Sequence, residues 1–193
     1  MIHVLRLLGW IACVVYSTIP SFWFLVHPFA AHWRSRRHSP YFVLLPAWIA
    51  MWIIAGAITF RWRHAALYTT NVPWIPAIVL FALGTWIYSQ SGKHFSARQL
   101  GGLPEVVSGQ REQKLVTSGI RARVRHPVYL AHLCEMVGWS VGTGLIVCYA
   151  GVVFALITGA VMIRMEDAEL EQRFGSEFAA YRAHVPSVWP RLR

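Results

Sequence analysis

The chain has 193 residues, of which 56% are apolar and only 13% charged, and its mean hydropathy is +0.44. Soluble domains carry about 25% charged residues, so this composition excludes an ordinary soluble globule and fits one all-α, polytopic membrane domain over residues 1–193. The formal net charge of +10 raises nucleic acid as a partner, yet the cations fall between apolar runs with no DNA- or RNA-binding motif, so none is expected.

A spanning helix needs about 20 mostly apolar residues. The first such run covers residues 4–26. Arg6 ahead of an apolar core resembles the start of a signal peptide, but no small-x-small cleavage site follows and "FWFLV" prolongs the run, so a retained span is expected. Residues 41–60 and 73–89 supply two more, making 1–89 three N-terminal spans. Lys93 and His94, at the foot of the third, read as snorkelling boundary residues.

Residues 90–127 form the longest polar connection, with "LGGLPEVVSG" at its middle. A connection of that length in so small a protein is usually functional. The apolar stretch 128–163 follows; as one helix its 36 residues would reach about 54 Å, against a hydrocarbon core of about 30 Å. It must fold back, and "GTG" at 142–144 is the expected turn of a helical hairpin, for five spans in all.

The last segment, 164–193, begins "RMEDAELEQRFGSEFAAYRAHV" and is predicted to be an amphipathic helix. Leu170, Phe174, Phe178, Tyr181 and Val185 recur at helical spacing along one face, with Asp167 inside that stripe and Glu166 at its margin. An interfacial helix lying on lipid is one reading. Carboxylates within a buried stripe point instead toward protein or a cationic ligand.

The lysines and arginines set the sidedness. With the N-terminus outside, 15 of the 18 fall on the inner side, so the orientation is N-out, C-in, and the polar loop and tail share the cytoplasmic face. Cys13, Cys134 and Cys148 lie in apolar stretches without metal-ligand spacing; buried free thiols are expected, and no metal site.

The motif "KLVTSGIRARVRHPVY" at 114–129, a hairpin, and then "ED…L…FG…F…Y…VP…P" closely resemble the isoprenylcysteine carboxyl methyltransferase family, within a wider group of phospholipid N-methyltransferases and thiol methyltransferases. The resemblance covers about 113–190, and the acidic pair follows Tyr129 by 37 residues. It implies S-adenosyl-L-methionine as cofactor and a lipid or lipophilic acceptor entering from the bilayer. It implies cofactor contacts at Gln113, Lys114, Leu115, Val116, Gly119, Arg121, Arg125, His126, Pro127, Val128, Tyr129, Glu166 and Asp167. Two positions depart from the family pattern. Arg121 stands where a tyrosine is typical, and Met162 where eukaryotic members carry a substrate-contacting arginine, the nearest arginine being Arg164.

Proline suits the first turn of a helix, whose unpaired N–H groups favour an anionic group. The arginines beside it also read simply as inner-side anchors of a span. His132 and Glu135 are ionisable groups at or below the interface, costly there unless used. They are expected either to hold an amine and accept its proton, with Arg164 as a third catalytic candidate, or to satisfy one another in the bundle core. Two other classes fit the pattern less closely: an NADPH-dependent sterol-type membrane reductase and a non-enzymatic membrane adaptor.

Overall fold

The computed structural model describes residues 2–36, 38–93 and 114–190; the predicted contact Gln113 and the boundary residue His94 lie outside them. Among the described residues the regular elements are helices, with an isolated bridge between Ala66 and Leu145. In chain order the helices are α1 (Ile2–Trp23), α2 (Ala30–Ser35), α3 (Tyr41–Thr59), α4 (Trp74–Gly92), α5 (Pro127–Thr143), α6 (Ile146–Phe174) and α7 (Ser176–His184). Short 3-10 turns cover His27–Phe29, Phe60–Trp62 and Gly119–Ala122.

Among the described residues three helical stretches are long and apolar enough to cross a membrane: Ile2–Ser35, Tyr41–Trp62 and Ile146–Phe174. Together they support a membrane location. α4 and α5, with 19 and 17 residues, fall outside that set. Apolar side chains face outward on several helices: Phe42, Ile53 and Ile58 on α3, and Ile75, Ile78 and Val79 on α4, are each more than half exposed. Water would penalise that surface; hydrocarbon does not.

α5 is the central element, packed along α4 on one side and against α1 and α6 on the other. α3 touches the bundle through α1, and two indoles tie it there: Trp10 donates to Thr59 Oγ1 at 2.9 Å and Trp48 to Thr18 Oγ1 at 3.1 Å. Inside the bundle the small hydroxyls return to their own helices, as where Ser140 donates to Met136 O and Thr143 to Trp139 O. This meets the demand that polar groups in an apolar interior be paired.

The chain reverses at the expected glycines. Gly144 takes φ +69°, a left-handed cap that side chains resist, and its N–H bonds Ser140 O at 2.9 Å. Leu67 N to Gly144 O and Ile146 N to Ala65 O then fasten the reversal to the 65–67 loop. At Gly142 a Cβ would stand 2.7 Å from the Trp74 ring, so the absence of a side chain lets α4 and α5 meet.

The tail differs from the single amphipathic helix predicted over 164–185. No breaker stands near Arg164, so the last apolar helix runs on without interruption to Phe174. At about 1.5 Å per residue its 29 residues extend roughly 44 Å, which leaves an extension beyond any 30 Å apolar layer. Gly175, at φ +54° and ψ −127°, then turns the chain into α7.

Candidate functional site

The α6 extension stands beside the start of α5, and the residues between them build a cavity of about 160 Å³. α5 begins at Pro127, whose missing N–H costs nothing at a first helical turn, and presents Val128, Tyr129 and His132. α6 adds Glu166, Leu170, Arg173 and Phe174; α7 adds Phe178 and Tyr181; Trp23 and His27 close the α1 side. Lys114, Leu115, Val116 and Arg121 approach from the loop before α5. The apolar stripe predicted for the tail is therefore turned inward onto this cavity through Leu170, Phe174, Phe178 and Tyr181.

An ion cluster forms its floor. Arg125 Nη2 lies 2.6 Å from Asp167 Oδ2, and His126 lies between the two carboxylates, with Nε2 2.9 Å from Asp167 Oδ1 and Nδ1 3.3 Å from Glu166 Oε2. Only 3% of His126 is exposed. Burial opposes its charge, but the charge of Glu166 and the hydrogen bond to Asp167 outweigh that, and its pKa is pushed up to about 9. Burial also draws the Arg121 guanidinium down, against the pull of Glu166, and lifts the Tyr181 phenol to about 12.

The same cluster anchors the tail. Arg125 N donates to Pro186 O and His126 N to Ser187 O, both at 2.9 Å, while Arg125 Nη1 reaches Val185 O. Tyr181 donates to Arg121 O at 2.6 Å, and Arg182 grips Glu171 with two bonds of 2.9 and 3.1 Å. The segment after α7 is thus stitched onto the loop before α5, and the cavity is roofed.

Some buried polar atoms in this cavity have no hydrogen-bond partner. They include Glu166 Oε2, at ion-pair distance from His126, and both ring nitrogens of His27, which stacks on Trp23 with Nε2 3.9 Å from Glu166. Buried polar groups are ordinarily paired. Atoms of this kind around one space leave hydrogen-bonding capacity that a polar ligand could use.

The predicted site residues divide by position. Lys114, Leu115, Val116, Arg121, Arg125, His126, Val128, Tyr129, His132 and Glu166 line the cavity. Gly119, at φ +63°, shapes the 3-10 turn that carries Arg121; Pro127 is buried at the α5 start; Asp167 supports Arg125 and His126 from behind. Arg164 is exposed and lines no cavity described here, because two helical residues before Glu166 is about 200° around the axis. Glu135 faces α4 rather than His132: its Oε1 stands 2.9 Å from where a Cβ on Gly84 would be. Among the described residues no ion pair joins His132 to Glu135.

Trp23, His27 and Arg173 were not foreseen. The one signal in the sequence for His27 is a second His-Pro pair, at His27–Pro28, closing the first apolar run as His126–Pro127 opens the fourth.

No family model matches the chain. It is 39% identical over 88 residues to the cobalt-zinc-cadmium resistance protein CzcN of Cupriavidus metallidurans, covering 45% of this chain and 40% of that protein. It is 35% identical over 86 residues to protein-S-isoprenylcysteine O-methyltransferase B of Arabidopsis thaliana, 42% of each chain. To the protein-S-isoprenylcysteine O-methyltransferase of Schizosaccharomyces pombe it is 30% identical over 127 residues, 60% of this chain and 49% of that one. Each likeness is partial: the chain spans less than half the length of these relatives.

Proposed function

We propose that the chain is a membrane methyltransferase that uses S-adenosyl-L-methionine and acts on a lipophilic acceptor. In this reading five helices cross the membrane, N-terminus out and C-terminus in, and the roofed cavity faces the cytoplasm. The names of the partial relatives support a methyltransferase. The observation that carries the reading is the cavity itself, lined by the Glu166 carboxylate, the His27 ring, several aromatic rings, Lys114 and Arg121.

These residues fit the cofactor by chemistry. Glu166 would hold an ammonium or ribose hydroxyl, Lys114 and Arg121 the carboxylate, and Tyr129, Phe174 and Phe178 the flat base. When bound, the cofactor supplies an electrophilic methyl group on a positively charged sulfur. The chain's own part is to orient it and exclude water, and alignment of that kind is worth about 7–11 kcal/mol. Small-molecule sites usually measure about 300–1,000 Å³, so the 160 Å³ cavity must widen to admit a nucleoside. α7, which follows the turn at Gly175, roofs the cavity, so widening would have to open its bonds to Arg121 and Glu171.

Calorimetry on the full chain in detergent tests this reading. S-adenosylhomocysteine is expected to bind at micromolar concentration and NADPH not to bind. Glu166→Gln, which keeps the shape and removes the charge, should weaken the binding at least about tenfold, the equivalent of one charged hydrogen bond. Undiminished binding in that variant, or no binding by the unaltered chain, refutes the assignment.

A further inference from the structure

The turn that ends the first apolar helix carries a side chain that packing does not explain. α1 stops at Trp23, and His27 opens a 3-10 turn whose second residue, Pro28, fixes its course. Trp33 Nε1 donates to Leu25 O at 2.6 Å and holds the turn, which packs on α6. His27 is thereby set in the cavity wall, its ring stacked on Trp23 at 5.1 Å between centroids and 21° between planes. Only 7% of it is exposed, and neither ring nitrogen has a hydrogen-bond partner. A phenyl ring would stack there equally well without the cost of burying two polar atoms.

Charge narrows what these nitrogens can meet. Among the described residues the cavity is lined by Lys114, Arg121, Arg125, Arg173 and the protonated His126, and by one carboxylate, Glu166. Asp167 and Glu169, from outside the lining, offset Arg125 and Arg173. The balance around Glu166 is still cationic, and its Oε2 lies 3.3 Å from His126 Nδ1 and 3.9 Å from His27 Nε2. A ligand ammonium beside His27 would face that excess of like charge. A hydroxyl carries no charge, and it both donates and accepts. Neutral imidazole is its complement, with one N–H donor and one acceptor nitrogen, and the carboxylate beside it can accept from a second hydroxyl.

We propose that His27 binds the ribose of the cofactor, holding its neighbouring hydroxyls together with Glu166. The inference rests on the methyltransferase reading above, and it decides between the two groups that reading leaves to Glu166. His27 stands outside the 113–190 stretch that carries the family resemblance. The first apolar helix therefore completes a site whose other polar groups come from the loop before α5 and from α5, α6 and α7.

The test is calorimetry on the full chain in detergent with S-adenosylhomocysteine, its 2′,3′-dideoxy analogue and its deamino analogue. His27→Phe keeps a flat ring against Trp23 and removes both nitrogens. It should weaken S-adenosylhomocysteine and the deamino analogue alike, by about tenfold. Binding of the dideoxy analogue, which has no hydroxyl to lose, should stay within about twofold. His27→Gln, which keeps a donor and an acceptor, should recover part of the loss. Undiminished S-adenosylhomocysteine binding in His27→Phe overturns the proposal. An equal loss for the dideoxy analogue overturns it too, because His27 then only shapes the cavity, and so does a loss confined to ligands that carry the ammonium. Should His27→Phe not fold, histidine-selective nitrogen-15 spectra of the unaltered chain decide. S-adenosylhomocysteine should shift the His27 ring signal, identified by its absence in His27→Gln, and the dideoxy analogue should not. A His27 signal that both ligands move, or that neither moves, overturns the proposal. If the unaltered chain binds no S-adenosylhomocysteine, the methyltransferase reading fails and this inference falls with it; binding that ignores His27 overturns the inference alone.

Discussion

The protonated His126 between two carboxylates makes stability depend on pH in a defined direction. Its pKa is raised from 6.5 to about 9 on folding. A raised pKa means that the folded state holds the proton more tightly, so the stabilisation is fully present below pH 6.5 and fades as pH rises through 9. At about 1.36 kcal/mol per pH unit, the difference amounts to roughly 3 kcal/mol. For a chain of this size that corresponds to a fall of roughly 6–12 °C in apparent melting temperature between pH 6.5 and 9.5. Thermal unfolding of the detergent-solubilised chain, followed by tryptophan fluorescence across that range, measures it. His126→Gln keeps one hydrogen-bond donor but cannot titrate, so its melting temperature should be lower at pH 6.5 and nearly flat through the window. An unchanged slope in the variant would refute the ion-cluster argument.

Three further outcomes follow from the geometry. Arg125→Met removes one of the two partners of Asp167 and the bond to Val185, and the loss of one member of a buried pair costs about 3–5 kcal/mol; a lower melting temperature together with faster proteolysis of the tail is expected. Gly142→Ala forces a methyl group to within 2.7 Å of the Trp74 ring and should cost about 1–3 kcal/mol, whereas Gly92→Ala, with nothing within 4 Å, should leave melting unchanged. Gly175→Ala meets no neighbour but must adopt φ +54°, a strain of about 1–3 kcal/mol. It should therefore displace α7 and weaken S-adenosylhomocysteine binding, with a smaller effect on melting than Arg125→Met.

Much of the architecture was legible in one dimension. Long apolar runs report helices because in hydrocarbon the backbone must bond to itself, and the 128–163 stretch was too long for one crossing, so a reversal at the glycines followed from arithmetic. The inward-facing stripe of Leu170, Phe174, Phe178 and Tyr181 was likewise visible as helical spacing. One feature of the tail was not. Continuity from Ile146 to Phe174 depends on there being no breaker at the point where composition changes, and hydropathy patterns mark changes of environment rather than ends of helices.

The sequence by itself determined the helical class, the turn at Gly144 and the pairing of a His-Pro element with a distant acidic pair. Only the tertiary structure decided the roles within that pairing. It put Glu166 at the cavity and Asp167 behind it, because adjacent helical residues point about 100° apart. It brought His27 from the first apolar helix to the same carboxylate, and it separated His132 from Glu135 by turning them toward different neighbours. Which side chains share a space depends on how helices are rotated against one another, and that rotation is set by packing between segments far apart in the chain, such as the meeting of Gly142 with Trp74.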